Sequence, residues 1–180
     1  RVNNYLMGDT PAPFDILAWN NDSTNMAAQL HKDFLGLFDS NCLIQPGGYE
    51  LMGQPVNLRD VKCDMFVVGA VTDHLTPWKA CYESRKNIGG KTVFALSNGG
   101  HVAALVNPPG NPKAYHYIAP ATDGTADEWL ESAEKASGSW WEGWAKWCGE
   151  RSGKLVAAPA SLGSAQYPAG VDAPGTYVTQ

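Results

Sequence analysis

Met65-Phe66-Val67-Val68-Gly69-Ala70-Val71-Thr72-Asp73-His74-Leu75-Thr76-Pro77-Trp78 begins as an unbroken apolar run of strand length and ends in polar and turn-forming residues. A run with no polar alternation fits a parallel strand covered on both faces better than a strand with one wet face. Thr76 before Pro77 has the N-cap and first-position pattern of a helix start, predicting a helix over 77–85 that stops before Gly89-Gly90. Thr92-Val93-Phe94-Ala95-Leu96 then repeats the apolar run and ends in Ser97-Asn98-Gly99-Gly100-His101. Strand, helix and strand in this order predict a right-handed βαβ unit, with both strand ends on one edge of a parallel sheet. That carboxyl edge is where open α/β sheets bind ligands. Asp73 follows the first strand and His101 the second.

Outward from this unit the signals are weaker. Upstream, Pro11 and Pro13 mark a loop. Met26, Leu30, Phe34 and Leu37 recur at helical spacing over 23–37, with Asp22 or Ser23 as the cap, and 49–58 reads as a hairpin turning at Gly53-Gln54-Pro55. Downstream, 107–124 is rich in Pro, Gly and Asn and is expected to be loop, and 125–137 is helical in pattern. Trp140, Trp141, Trp144 and Trp147 fall at offsets that put most of them on one helical face, expected to cover the sheet, with contact to a partner or an apolar surface as the rival reading. The tail over 155–180, with Pro159, Pro168 and Pro174, is expected to be an extended strap. Only about two sheet strands are visible, too few for a stable domain of this class, so upstream strands are expected on another segment of the same protein.

The 180 residues are 44% apolar and include seven Trp, enough for one ordinary core. A net charge of -5 with 13 scattered Lys and Arg argues against a grip on nucleic acid or anionic lipid. No apolar run is long enough for a transmembrane helix. Cys42, Cys63, Cys81 and Cys148 stand far apart, without zinc-ligand spacing or a disulfide framework, which points to reduced thiols in a cytoplasmic protein.

An Asp and a His after neighbouring parallel strands are two parts of a nucleophilic acyl-transfer site. Asp73 would accept a hydrogen bond from one imidazole nitrogen, fixing the tautomer and stabilising the imidazolium formed when His101 takes the nucleophile's proton. The chain order, Asp then His, is that of α/β-hydrolases. Ala95-Leu96-Ser97-Asn98-Gly99 is a relaxed form of the serine nucleophile elbow, so Ser97 is a rival nucleophile. It would need an Asp and then a His downstream, and the later histidine, His116, precedes Asp123.

Three blocks carry a resemblance: 71–78 as quoted, Leu96-Ser97-Asn98-Gly99-Gly100-His101, and Val106-Asn107-Pro108-Pro109-Gly110-Asn111-Pro112-Lys113. With Val2-Asn3-Asn4-Tyr5-Leu6, the run from Phe14 to Asp22, Gly138-Ser139-Trp140-Trp141, Ser152-Gly153-Lys154 and the run from Asp172 to Val178, they resemble the polyhydroxyalkanoate synthases in order along nearly the whole chain. The resemblance implies the carboxyl-terminal part of an α/β-hydrolase fold, incomplete without upstream strands, with 1–53 as a cap or partner-contact region and 54–180 as part of the catalytic domain. It implies an acyltransferase that polymerises (R)-3-hydroxyacyl-CoA into polyester through a Cys-His-Asp triad, releasing coenzyme A and needing no cofactor or metal. Asp73 matches the acid and His101 the histidine, and His74 is a second candidate for shaping the site. Gly99 stands where the family pattern has Ser. No cysteine here has the flanking glycines of the family's Gly-x-Cys-x-Gly elbow, so the nucleophile is expected on the amino-terminal part of the same synthase, leaving this segment inactive alone. Further implied partners are a second copy in a homodimer and phasin-type proteins at the polyester granule. The rival from another class is a non-catalytic dimerisation or granule-contact module.

Overall fold

The computed structural model describes residues 6–8, 23, 25–173 and 175–176. The Pro11 and Pro13 loop, Asp22 as a helix cap and the last residues of the tail lie outside them. The chain is mixed α/β. Helix α1 (Ala28–Ser40) precedes a hairpin of β1 (Tyr49–Leu51) and β2 (Gln54–Val56). A four-stranded sheet follows in the order β3 (Met65–Ala70), β4 (Thr92–Ser97), β5 (Tyr115–Pro120), β6 (Lys135–Ser137). Helix α2 (Trp78–Glu83) connects β3 to β4, α3 (Ala126–Ser132) connects β5 to β6, and α4 (Trp141–Gly149) comes last.

Strands β3 and β4 are parallel, with Ala70 opposite Ser97 at their carboxyl ends. Strand β5 runs antiparallel to β4, and β6 antiparallel to β5. The sheet is therefore mixed and has four strands rather than two. The expected loop over 107–124 contains β5, whose Tyr115-His116-Tyr117-Ile118 is β-prone despite the surrounding Pro and Gly. The expected helix over 125–137 stops at Ser132. Its start is well specified: the Thr125 hydroxyl accepts from the Glu128 amide and the Glu128 carboxylate accepts from the Thr125 amide. Residues 135–137, helix formers by propensity, instead pair with β5, and Lys135 sits over the Tyr115 ring at 3.8 Å. Tertiary pairing outweighs a propensity difference of about a few tenths of a kcal/mol per residue.

Two layers cover the sheet. Phe94 and Leu96 point from one face into a cluster with Tyr82 of α2 and Ala126 and Trp129 of α3. Phe94 meets Tyr82 and Trp129 edge-on at 5.2 and 5.0 Å. Gly69 lets α2 approach β3 closely, since a Cβ there would lie 2.8 Å from the Phe94 ring and 3.1 Å from Trp78 Cβ. The Arg85 guanidinium, stacked 4.1 Å over Tyr82, donates to the carbonyls of Thr122 and Gly124 and ties the end of this layer to the β5–α3 connection. On the opposite face, Phe66 packs against Trp140 and Trp147 at 6.1 and 5.6 Å, and Gly143 rides over Ile118.

Of the four clustered tryptophans, Trp140 is thus buried against the sheet, while Trp144 is 46% exposed. Helix α1 begins at Ala28 with Ala27 as its cap position, four residues later than a Ser23 cap would place it, and none of its residues is buried. The hairpin turns at Met52-Gly53, both with positive φ, one step earlier than expected, so that Gln54 and Pro55 belong to β2. The described tail residues from 155 onward are exposed except for the half-buried Gly175, with one bridge between Gly163 and Pro168. Among the described residues no helix is long and apolar enough to cross a membrane.

Candidate active site

Parallel pairing puts the turns after β3 and β4 side by side. It continues past the strands: the Val71 amide donates to Ser97 O and the Thr72 amide to Gly99 O, both at 3.0 Å. Asp73 and His101 are thereby brought together, the imidazole Nδ1 lying 2.9 Å from the Asp73 Oδ2. The acid side chain is 7% exposed and the imidazole 44%. Among the described residues nothing hydrogen-bonds the other imidazole nitrogen, Nε2.

Asp73 is held by its own turn. Its Oδ1 accepts from the amides of Leu75 and Thr76, at 2.9 and 3.0 Å, and its Oδ2 accepts from the Thr76 hydroxyl at 2.7 Å. The Thr76 amide does most to hold this carboxyl well below the usual carboxylate range. Burial opposes the shift, while the Thr76 hydroxyl, His101 and the Leu75 amide add to it. Thr76 therefore serves Asp73 and not the helix, and Pro77 takes the cap position of α2 instead. A charged acid with fully engaged oxygens can orient an imidazole but is not a proton donor near neutrality.

The histidine turn is strained. Gly99 has φ +110, matched to glycine, and Val102 has φ +62, a backbone that costs a β-branched residue on the order of 1–3 kcal/mol. The Ala103 amide donates to the His101 carbonyl at 2.7 Å, closing a γ-turn about Val102.

A cavity of about 140 Å³ adjoins the pair, lined among others by Asp73, Thr76, Cys81, His101, Val102 and Leu105. A larger hollow of about 460 Å³ lies at the opposite end of the strands, around Lys91, Thr92 and Pro120, away from this chemistry. His74 is exposed and does not line the cavity, so the structure does not bring it to the pair. Thr76 and Cys81 are the site residues that sequence reasoning missed. The Asp73-x-x-Thr76 spacing, typical of a side chain capping its own turn, is a signal for the first; the second has none.

Similarity to known proteins bears directly on what such a pair is for. The chain is 48% identical over 177 residues to both poly(3-hydroxyalkanoate) polymerase 1 and polymerase 2 of Ectopseudomonas oleovorans, covering 98% of this chain and 32% of each of them. It is 38% identical over 178 residues to the poly(3-hydroxyalkanoate) polymerase subunit PhaC of Cupriavidus necator, covering 98% of this chain and 30% of that protein. Over nearly its whole length this chain matches a segment of poly(3-hydroxyalkanoate) polymerases. It spans about a third of the length of these curated relatives. No protein-family model matches it.

Within a polymerase of this family, two side chains near the pair could compete for the role of nucleophile. Ser97 is fully buried, with its hydroxyl donating to the Asn98 carbonyl and accepting from Asn107. Cys81 lines the cavity, but burial, with the charge of Asp73 adding to it, pushes its thiol up, away from the reactive thiolate. Ser97→Ala and Cys81→Ala are each expected to leave kcat of a full-length polymerase within about threefold of wild type, the range left by small side-chain changes without a chemical role. A loss of 100-fold or more in either, in a protein that still melts cooperatively, would reassign the nucleophile.

Proposed function

We propose that this chain supplies the acid and the base of a polyhydroxyalkanoate synthase, an acyltransferase that joins (R)-3-hydroxyacyl groups from their coenzyme A thioesters into polyester. The observation that carries this reading is the 2.9 Å pairing of Asp73 with the Nδ1 side of His101, which leaves Nε2 open. In it, His101 Nε2 takes the proton of a cysteine thiol borne by another part of the polymerase. The thiolate attacks the thioester carbonyl, the carbon–sulfur bond to coenzyme A breaks, and coenzyme A leaves with that proton. His101 then takes the proton of a 3-hydroxyl group, whose oxygen attacks the acyl-cysteine carbonyl; the carbon–sulfur bond to the cysteine breaks as the ester forms, and His101 returns the proton to the cysteine sulfur. Asp73 keeps the imidazole in the tautomer both steps need.

The same reading makes this segment inactive alone and part of an α/β-hydrolase fold. In support, β3 pairs only with β4 among the described residues, and its Met65, Phe66, Val67 and Val68 remain partly exposed. An apolar strand with an open edge is a liability unless another strand covers it. We divide the chain at 1–53, a cap or partner-contact region, and 54–180, part of the catalytic domain. The first assignment is supported by α1, whose Leu30, Phe34, Leu35 and Phe38 are about half exposed or more. A second copy in a homodimer is the partner proposed for it, with the cytoplasmic granule surface and its phasin-type proteins as the setting.

The test is a full-length polymerase carrying this segment, supplied with (R)-3-hydroxyacyl-CoA. Coenzyme A release matched by an equal number of ester units formed is the expected result. Release of coenzyme A with free hydroxy acid and no polymer would make the protein a thioesterase and sink the proposal.

A further inference from the structure

We propose that Ser139, Trp140 and Trp141 are positioning residues for His101, clamping the strained turn on which it sits. The inference rests on His101 being the base. The segment from Gly100 to Val106 is a run of tight turns: the Ala104 amide donates to Gly100 O and the Val106 amide to Val102 O. A run of turns that ends at once leaves its last carbonyls without donors from within the run itself. Here the tryptophan segment supplies them. Trp140 Nε1 donates to Ala104 O at 2.8 Å, Trp141 Nε1 to Leu105 O at 2.9 Å, and the Ser139 hydroxyl to Asn107 O at 2.5 Å.

The clamp has its own footing. It leaves β6 directly at Gly138, whose amide donates to Ala114 O and whose carbonyl meets His116 Nδ1 of β5. The Ser139 oxygen also accepts from the Trp141 amide, and Ser139 and Asn107 are both buried. Three donors fixed to the sheet thus hold the residues that follow Val102. A strained backbone persists only where its surroundings over-determine it, and released strain would let His101 swing away from Asp73. The tryptophans that read as a packing face hence have a polar duty beside their apolar one.

The test uses a full-length polymerase and the variants Trp141→Phe, Val102→Gly and their combination, each checked for cooperative melting. Trp141→Phe keeps an aromatic ring and removes the donor. Its expected effect is a loss of about tenfold in kcat with KM for the acyl-CoA within about twofold, the size of one lost orienting hydrogen bond. With Val102→Gly already present the same change is expected to cost less than about threefold, because glycine adopts φ +62 without restraint and the two sites are coupled. Equal losses in both backgrounds, or no loss in either, would overturn the inference, since a merely packing role is indifferent to residue 102. His101→Ala separates the two ideas. If that variant keeps wild-type kcat, the base assignment has failed; if it loses activity while Trp141→Phe does not, the clamp alone has failed.

Discussion

Replacing His101 by Ala in a full-length polymerase is expected to lower kcat by about 10²–10⁴-fold, the range that a positioned general base contributes. The argument is geometric. Nδ1 is committed to Asp73, so the proton-accepting lone pair is on Nε2, which nothing among the described residues occupies. A base must be within hydrogen-bond reach of the proton it takes, and the 44% exposure of this side chain leaves that reach available to a thiol from elsewhere in the polymerase. Stability should change little, because His101 lies outside the core cluster and Asp73 keeps its donors from Leu75 and Thr76. Alkylation adds a second readout: a cysteine that depends on His101 for its thiolate should react with iodoacetamide near neutral pH at least about tenfold more slowly in His101→Ala. A variant that melts like wild type and retains more than a third of its kcat would show that the proton goes elsewhere.

The pairing of Asp73 with His101 was legible in the sequence because it depends on short-range order. Two apolar runs joined by a helix must pair in parallel, and the residues just beyond them must then meet, whatever else the chain does; hence Asp73 and His101 could be named as neighbours. What was not legible depends on partners distant in the chain. Residues 115–120 alternate poorly and lie between prolines, and they become a strand because β4 and β6 offer edges on either side. Residues 135–137 are helical by propensity and extended by pairing. Thr76 reads as a helix cap, whose hydroxyl oxygen would accept from a helix amide, but its hydroxyl instead donates to the Asp73 carboxylate, a strong acceptor close by. The tryptophans were legible as a face, but not as donors to carbonyls 36 residues away.

Asp73→Asn should cost nearly as much as loss of the base, on the order of 10³-fold in kcat, with KM little changed. Three donors already converge on this carboxylate, from the Leu75 and Thr76 amides and the Thr76 hydroxyl. An Asn that keeps its oxygen toward the two amides turns its NH₂ toward His101 Nδ1. The imidazole can then only accept there, which places its proton on Nε2 and removes the base. Thermal melts at several pH values report on the same carboxylate independently of catalysis. Its folded-state pKa lies below the ordinary value of about 3.9, so its stabilising contribution is complete above that value and is lost as pH falls below it. The melting temperature of wild type should therefore exceed that of Asp73→Asn most clearly near neutrality, and the gap should narrow as pH drops below about 4. A gap that stays constant down to pH ~3 would mean that the turn uses the shape of Asp73 and not its charge. Full activity in Asp73→Asn would mean that His101 finds its tautomer without it.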